Sequence, residues 1–588
     1  MTDQQDIDAS TTKLSISQSE KGEEDRQVEQ QEPPHPRSHF PAWKWKGTLV
    51  LIFLACVLNG TSNPLCLSFP KPYYDLVSNS PRLLAGYDIS NVANIQPRLY
   101  EAFGHIDLLP WIGLSYALAN FCVVTLARKL TFVFDMRHIF IANLFVFIAG
   151  SAIAGAAQSM AMLIVGRIVM GVGGSIVQQT AYSYFAVLAT PAEMTGLYGI
   201  TGGVWAVGLV TGGPIGSAFA ENSTTTWRWA FYINLPFIGL ATILALVCLP
   251  SHSLKPDIPF TNRLMKIDPI GIFLHMASGV LFALAVTFSG SVWDWGSGPS
   301  IAVWIVFGVA FVSWAVQQYF CIFTTPDERA FPVHLLSRRD LLPLWVASAC
   351  ASASYAITLY YTPLFFAFAR GVDALGQTVR LLPFILLFIL FVSLTGRLLP
   401  KIGRYNLIYI VGGSISLAAG AAMVSILDVD VPQSQLLALV ALLGIGTGMT
   451  FQHGIAISNV INKNPRDRVD SLTICNMSQM AGISLILAVA GSIFQNVGYS
   501  LLVDALGDDA SQYSDHDIRE ALAGVSSKVW QSESPGVLRS GIEAVSKVVA
   551  REFYIVISFG SLCLICGLLM DWKKLDFGTK PKEKETSV

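Results

Sequence analysis

Fourteen apolar stretches of about membrane length follow one another along this chain of 588 residues. A helix needs about 20 apolar residues to cross the hydrocarbon core of a bilayer. Arg167 is the only fixed charge that we place inside any of the fourteen stretches. The sequence therefore predicts an all-α membrane protein, and a chain solvated by lipid in this way is best suited to moving a compound through lipid.

The composition excludes several other functions. Charged residues make up 13% of the chain, about half of the share in a typical soluble protein. The net charge of -2 gives no basic surface for nucleic acid. The nine cysteines lie in or beside the apolar stretches and match neither a disulfide framework nor a zinc-binding pattern. No phosphate-binding loop is present. We expect no metal, no cofactor and no enzymatic activity.

The apolar stretches divide the chain into segments. We place the membrane spans at 47–67, 109–127, 139–157, 160–188, 196–219, 230–250, 269–290, 300–322, 342–366, 381–396, 406–427, 435–460, 472–497 and 552–570. We divide the chain into a disordered cytoplasmic tail, a first six-helix bundle, two inserted spans, a second six-helix bundle with its outer loop 503–550, and a cytoplasmic tail, at 1–45, 46–250, 251–340, 341–571 and 572–588. No Asp or Glu is expected deep in any span.

Lysines and arginines in the short loops set the orientation, because cytoplasmic loops carry an excess of them. The loops that follow the even-numbered spans hold most of these cations: Arg128, Lys129, Arg137, Lys255, Arg263, Lys266, Arg329, Arg338, Arg339, Arg397, Lys401, Arg404, Lys463, Arg466 and Arg468. Both termini are therefore predicted to be cytoplasmic, as an even number of spans also requires. The outer segment 511–550 has apolar residues at helical spacing, which predicts amphipathic helices lying on the membrane surface.

Two loops mark an internal repeat of the kind found in transporters built from related halves. The loop after the tenth span reads Gly396-Arg397-Leu398-Leu399-Pro400-Lys401-Ile402-Gly403-Arg404, and the loop from Arg128 to Arg137 occupies the equivalent place after the second span. Each is predicted to be a basic hinge between two helices. Six spans in each half leave 269–290 and 300–322 as an inserted pair.

These loops resemble the G-x-L-a-D-R-x-G-R motif of the major facilitator superfamily. Four further segments are similar to motifs of its fourteen-span drug/proton antiporter branch, especially the fungal toxin and multidrug efflux members: Gly166 to Gly174, Gly208 to Gly216, Trp227 to Pro236, and Tyr360 to Pro383. The resemblance runs from about residue 50 to 572. It implies two six-helix bundles that rock about a central site, and export of a compound in exchange for protons.

Several residues in these motifs have a physical reading of their own. A guanidinium near mid-membrane normally faces a bundle interior or a water-filled cavity, so Arg167 is predicted to face the pathway; the alternative is that it binds carbonyls of a neighbouring helix. Small residues and a proline suit a helix against which another rocks. The predicted conformational residues are Gly208, Gly212, Gly213, Pro214, Gly396, Gly403 and Arg404.

The chain departs from the antiporter pattern where a proton would bind. Family members commonly carry an acidic residue in the first span, and this chain has Asn59 there. Because histidine titrates near neutral pH, His453 is the predicted candidate for proton coupling, ahead of His275 in the inserted pair. A lone histidine is more often a packed residue, so this alternative stays open.

The predicted pathway lining mixes aromatic faces with uncharged polar groups, as a largely apolar cargo requires. Its candidates are Arg167, Trp205, Tyr360, Tyr361, Gln452 and Asn476. We expect a monomer in the plasma membrane, or alternatively the vacuolar membrane, that exports a small organic compound such as a secondary metabolite, mycotoxin or drug. The alternatives are proton-coupled uptake, for example of a siderophore, and facilitated diffusion without proton coupling. A receptor or an intramembrane enzyme is a more distant possibility.

The charge distribution makes topology testable. Tags at residues 1 and 588 should lie in the cytosol and a tag near residue 515 outside, with glycan possible at Asn222 in an outer loop. Protease added to intact cells should remove only the tag near residue 515. Loss of either terminal tag would contradict the orientation.

Overall fold

The computed structural model describes residues 41–59, 108–190, 226–253, 259–264, 267–523, 528–531 and 535–577, with single residues between 95 and 103 and between 193 and 219. These residues form helices joined mostly by short turns. Only an isolated bridge between Ser289 and Trp293 interrupts the helical pattern among them. Helices dominate because a span must satisfy its backbone hydrogen bonds within itself when lipid surrounds it.

The first half and the inserted pair contribute nine helices within the described residues. They are α1 (Ala42–Asn59), α2 (Leu109–Val133), α3 (Met136–Gly155), α4 (Met160–Leu188), α5 (Trp229–Tyr232), α6 (Asn234–Cys248), α7 (Phe260–Leu264), α8 (Pro269–Phe288) and α9 (Gly298–Phe320).

Eight more helices follow within the part of the chain that is described. They are α10 (Leu342–Arg370), α11 (Ala374–Ile402), α12 (Asn406–Ile426), α13 (Gln433–Thr450), α14 (His453–Ile461), α15 (Pro465–Leu506), α16 (Asp515–Ala523) and α17 (Pro535–Leu569). Single 3₁₀ turns cover Val333–Ser337, Gly507–Gln512 and Lys528–Gln531.

Helical stretches that could cross a membrane number 12 within the described residues. They correspond to twelve of the fourteen predicted spans. The predicted span 196–219 lies largely outside those residues, and α1 covers the predicted span 47–67 as far as Asn59.

The helices are longer and the loops shorter than the sequence predicts. Arg128 lies inside α2, and Gly396 lies inside α11. The predicted basic hinges are therefore helix ends: α11 stops only at Gly403, whose φ of 70° is left-handed and favours glycine. The predicted span 435–460 is interrupted after Thr450, where α13 gives way to α14.

Glycines bring neighbouring helices into close contact in both bundles. A Cβ on Gly166 of α4 would lie 2.6 Å from the backbone nitrogen of Ala154 in α3. A Cβ on Gly444 of α13 would lie within 3.0 Å of the carbonyl carbon of Phe384 in α11. Such pairs of helices pack backbone against backbone, which only small residues allow.

The inserted pair lies where the two bundles meet. Helix α8 packs against α2 of the first bundle and α15 of the second, while α9 packs mainly against α8. The side of α9 that faces away from the protein is strongly exposed, as at Ile305, Val309 and Val312. This apolar exposure is that of a helix in contact with lipid.

The outer segment packs on the second bundle. Ile518 and Leu522 of α16 are buried, and Leu522 lies against Gly498 in α15. The segment does contain one separate amphipathic helix, α16, but its apolar residues pack on α15 instead of a membrane surface. Residues 537–548, also predicted to lie on the surface, form the first part of α17.

Close helix packing predicts opposite effects for two glycine substitutions. Gly444→Ala should destabilise the protein by about 1–3 kcal/mol, since a methyl group has no room there. Gly308→Ala in α9 meets no atom within 4 Å, so it should be neutral or stabilising by about 0.5–1 kcal/mol. Thermal unfolding of the purified proteins in the same lipid nanodiscs measures both. Equal midpoints would refute the packing argument.

Candidate functional site

A set of uncharged polar side chains joins α4 of the first bundle to the second bundle. Gln179 of α4 donates to Thr473 of α15 at 3.0 Å and accepts from Asn476 at 3.2 Å. Gln452, between α13 and α14, donates to the hydroxyl of Tyr182 at 3.1 Å. All five residues are buried. We call them the crossing network, because each of these bonds links the first bundle to the second.

The crossing network contains two of the predicted pathway residues, Gln452 and Asn476. Their partners Gln179 and Tyr182 are missing from the sequence prediction. The signal that could have found them is the polar run Gln178-Gln179-Thr180 within the apolar fourth span. Amides in lipid need partners, so this run indicates a contact with another polar helix face.

The remaining pathway candidates lie elsewhere. Arg167 is buried in the first bundle, where its Nε donates to the carbonyl oxygen of Ile112 and its guanidinium lies 5.7 Å from the Tyr116 ring centre. Both partners belong to α2, which agrees with the alternative that Arg167 binds carbonyls of a neighbouring helix. Tyr361 is buried against Phe494, and Tyr360 is partly exposed beside it. The role of these three residues in the pathway stays a prediction.

The conformational candidates divide in the same way. Gly208 and Gly212 are both helical and buried. Gly403 follows the last residue of α11, and Arg404 after it is exposed. The backbone oxygen of Gly403 accepts from the backbone nitrogen of Leu575 at 2.9 Å, which ties the chain end to this turn. Four candidates lie outside the described residues: Trp205, Gly213, Pro214 and Asn222.

The predicted coupling residue, His453, is fully buried at the start of α14. Neither ring nitrogen has a hydrogen-bond partner among the described residues. His275 differs, because its Nε2 lies 3.2 Å from the carbonyl oxygen of Phe121 and its ring packs between Phe121 and Trp314. His275 is thus a packed residue that ties α8 to α2.

A buried ion pair closes the predicted cytoplasmic end. Arg128 of α2 lies 2.7 Å from Asp470 of α15, and both side chains are almost fully buried. Arg128 also donates to the carbonyl oxygens of Arg329 and Ala330, at 3.1 and 2.9 Å. One guanidinium therefore holds the first bundle, the second bundle and the loop after the inserted pair together.

Further contacts surround this pair. Arg466 of α15 bonds Asp327 at 3.0 Å, and Lys129 donates to the backbone oxygen of Glu328. Together with Arg263, these side chains line a pocket at this end of the protein. The pocket is rich in cations.

The inserted pair is anchored by a buried carboxylate at the same end. Asp268 begins α8 and accepts hydrogen bonds from the backbone nitrogens of Gly271 and Ala330, at 2.8 and 3.0 Å, and from the amides of Gln317 and Gln318. The Ala330 bond places the inserted pair directly beside the backbone that Arg128 binds.

The loop that follows is held by its own ion pair. Arg338 donates to both carboxylate oxygens of Asp340, and this hydrogen bonding lowers the pKa of the Asp340 carboxyl from its usual value. His334 lies 3.4 Å from Asp467 in α15. The loop thus fixes the beginning of α10 against the beginning of α15.

The sequence analysis missed two buried acids. Asp470 was not recognised as a partner for Arg128, although Arg466-Asp467-Arg468-Val469-Asp470 stands at the start of the thirteenth span. Glu552 was placed at the edge of the last span, whereas α17 begins at Pro535 and carries Glu552 fully buried in its middle. The expectation that no acid lies deep in a span is therefore wrong.

A family model described as Major Facilitator Superfamily matches residues 82–494. The chain belongs to the Major Facilitator Superfamily. It is similar to the efflux pump patC of Aspergillus clavatus, with 32% identity over 498 residues, 84% of this chain and 89% of that protein. It is also similar to the phomenoic acid biosynthesis cluster MFS-type transporter of Leptosphaeria maculans, with 28% identity over 86% of this chain and 82% of that protein.

A solved structure supports the fold. The proton:xylose symporter XylE bound to 6-bromo-6-deoxy-D-glucose superposes with a TM-score of 0.53 over 91% of this chain and 98% of that one, at 12% identity. These comparisons confirm the predicted superfamily, the all-α facilitator fold and the prediction of a membrane transporter.

We predict that the ion pair between Arg128 and Asp470 holds the predicted cytoplasmic end closed. Removing one partner of a buried pair costs about 3–5 kcal/mol, so Asp470→Asn should shift the protein toward a form open at this end. The reporter is a cysteine at Thr473 in a background without the nine native cysteines. In vesicles that expose the cytoplasmic end, an impermeant maleimide should label it about tenfold faster or more.

Asp340→Asn is the matched control, since Asp340 lies at the same end but pairs within its own loop. It should leave the labelling rate of the Thr473 cysteine unchanged. An unchanged rate in Asp470→Asn, or an equal rise in both variants, would contradict a latch at Arg128 and Asp470.

Proposed function

We propose that this chain is a secondary active transporter that exports a small, largely apolar organic compound, such as a fungal secondary metabolite, mycotoxin or drug, in exchange for protons. The observation that carries the proposal is the crossing network. Its amides and hydroxyls lie between the two bundles without a fixed charge among them. Names of the relatives add support, since patC is called an efflux pump.

The crossing network suits alternating exposure of a central site. Each of its bonds joins groups on different bundles, so a rocking motion separates donor from acceptor. The freed amides of Gln179, Gln452 and Asn476 then need new partners, and a carbonyl or hydroxyl of a cargo molecule provides them. A mostly apolar cargo with a few polar groups fits such a site, whereas a strongly charged one would find no counter-charge in it.

The latch at Arg128 and Asp470 belongs to the same cycle. In the structure it joins both bundles at the predicted cytoplasmic end. We infer that export requires this end to open for loading and to close again before release. The inserted pair moves with the latch, because Asp268 and Arg128 bind adjacent parts of one loop.

The other parts of the proposal follow from sequence and family. The termini are assigned to the cytosol and the protein to the plasma membrane as a monomer. Arg167, Tyr360 and Tyr361 remain candidates for the pathway, with Trp205 between them in the chain. His453 is one candidate for proton coupling, and its burial without a partner is consistent with a group that changes its surroundings during the cycle.

Deletion of the gene tests the direction of transport even while the cargo is unidentified. Metabolites of the deletion strain and its parent are compared in cells and in medium. An exporter predicts a compound that rises in the cells and falls in the medium, and a plasmid carrying the wild-type gene restores the parental ratio. The opposite change would indicate uptake, and no change in any metabolite would refute export of an endogenous compound.

Variants in the same strain test the crossing network. Gln179→Leu should restore roughly a tenth of wild-type export or less, because it removes the acceptor of the Asn476 amide and the donor to the Thr473 hydroxyl, which keeps only its bond to Val469. Gln435→Leu, exposed at the beginning of α13, should restore export fully. Both must reach the membrane in equal amounts, and full export by Gln179→Leu would remove the network from the pathway.

A further inference from the structure

Glu552 is a buried acid that has no role in the transport cycle proposed above. It lies within α17, and none of its surface is exposed. Neither carboxyl oxygen has a hydrogen-bond partner among the described residues. The other acids that are buried in the described part of the chain have partners. Asp470 binds Arg128, and Asp268 accepts hydrogen bonds from four donors. An ionisable group inside a membrane protein is expensive and usually functional.

Three helices of the second bundle pack against α17: α10, α12 and α15. From α10, Tyr361 lies within electrostatic range of Glu552, with Tyr360 beside it. On α12 the only titratable side chain is Tyr409, near the other end of α17 at Cys563.

On α15, Phe494 contacts Tyr361. The next titratable side chain outward along α15, Tyr499, donates its hydroxyl to Asp515 of the outer segment. On α17 itself, Arg551 and Lys547 are exposed. Among the described residues, Glu552 therefore has tyrosines near it but no cation.

These surroundings decide the protonation of Glu552 in this conformation. An ionised carboxylate buried without a hydrogen bond or a cation is very costly, so the group holds a proton instead. A buried imidazole such as that of His453 avoids the cost of a buried charge by releasing a proton, because its neutral form is the deprotonated one. Glu552 and His453 are both buried without a hydrogen-bond partner among the described residues, and of these two groups the carboxyl is the one that holds a transferable proton in this state.

The position of Glu552 fits the same conformation. Seventeen residues separate it from Leu569 at the predicted cytoplasmic end of α17, a distance of about 26 Å along a helix. Glu552 therefore lies toward the outer side, while the latch closes the cytoplasmic side. An exporter that exchanges with protons must bind its proton from outside while its cytoplasmic side is closed.

We propose that Glu552 carries the coupling proton, in the role for which the first span offers only Asn59. The inference rests on the proposed export in exchange for protons. When the cytoplasmic end opens and water reaches the group, the carboxyl O–H bond breaks, the proton passes to water, and the electron pair of that bond stays on the carboxylate. Tyr361 is the polar side chain of α10 that lies within electrostatic range of the carboxyl.

Infrared spectroscopy tests the bound proton without any cargo. The full chain in proteoliposomes at neutral pH should show the C=O stretch of a protonated carboxyl. Glu552→Gln should remove that band. The matched control is Glu543→Gln on the same helix, where the carboxylate is partly exposed and pairs with Arg539, and it should leave the band in place. A spectrum that Glu552→Gln does not change would overturn the proposal.

Transport tests coupling, with the compound retained by the deletion strain as the probe. In vesicles with an imposed pH difference, wild type and the control variant Glu543→Gln should both concentrate the probe. Glu552→Gln should only equilibrate it, and Glu552→Asp should recover part of the concentration. Concentration by Glu552→Gln equal to that of wild type would overturn the role of Glu552 alone.

Other outcomes separate this inference from the function on which it rests. A wild type that moves the probe but ignores the pH difference would overturn proton exchange and the role of Glu552 together, leaving facilitated diffusion. Loss of probe binding in Glu552→Gln, with the remaining transport still following the pH difference, would make Glu552 a cargo-binding residue and overturn the proposal. Unfolding of the variant is recognised by its elution profile, and Glu552→Asp then serves as the test.

Discussion

The cost of a polar or charged group without water governs this protein. Lipid offers no hydrogen bonds, so each charge within the bundles needs partners supplied by the fold. Arg167 binds a carbonyl oxygen of α2, Arg128 binds Asp470, and Asp268 accepts from four donors. These contacts connect neighbouring elements of the fold. The Arg128–Asp470 contact joins the two bundles, and the Asp268–Ala330 contact joins the inserted pair to the loop that follows it, and these are elements that move in the proposed cycle. The need of each buried charge for a partner thus also determines where the moving elements are in contact.

The two ends of the described second bundle differ in how they are held. The predicted cytoplasmic end is held by an ion pair and by hydrogen bonds to one loop, around Arg128. The outer end combines exposed polar contacts, such as that of Tyr499 with Asp515, with apolar packing in which Leu522 covers Gly498 and Trp530 covers Gly541. Ion pairs break and form with a change of partner or hydration, while apolar packing of this kind opens only by exposing surface. The asymmetry suits a latch on one side and a cap on the other.

Sequence reasoning found the parts of the site that depend on one residue in one span. Gln452 and Asn476 stand out because an amide in an apolar stretch is unusual, and both belong to the crossing network. Sequence reasoning failed where the role of a residue depends on a partner in another helix. Arg128 was interpreted as a cation of a basic loop, because nothing near it in the chain shows that it pairs with Asp470, 342 residues away. Glu552 looked like the edge of a span because the apolar run begins there, although α17 begins 17 residues earlier.

By itself the sequence determined that the chain is helical and lies in a membrane, since both follow from the local hydropathy. From the charges and motifs of the short loops it also predicted two related halves with an inserted pair. Only the tertiary structure decided which buried charges are neutralised. It pairs Arg128 with Asp470, gives Asp268 four donors, and leaves Glu552 beside Tyr361 without a cation. Hydropathy depends on one residue and its neighbours in the chain, whereas the cost of a buried charge depends on atoms that packing brings from distant helices.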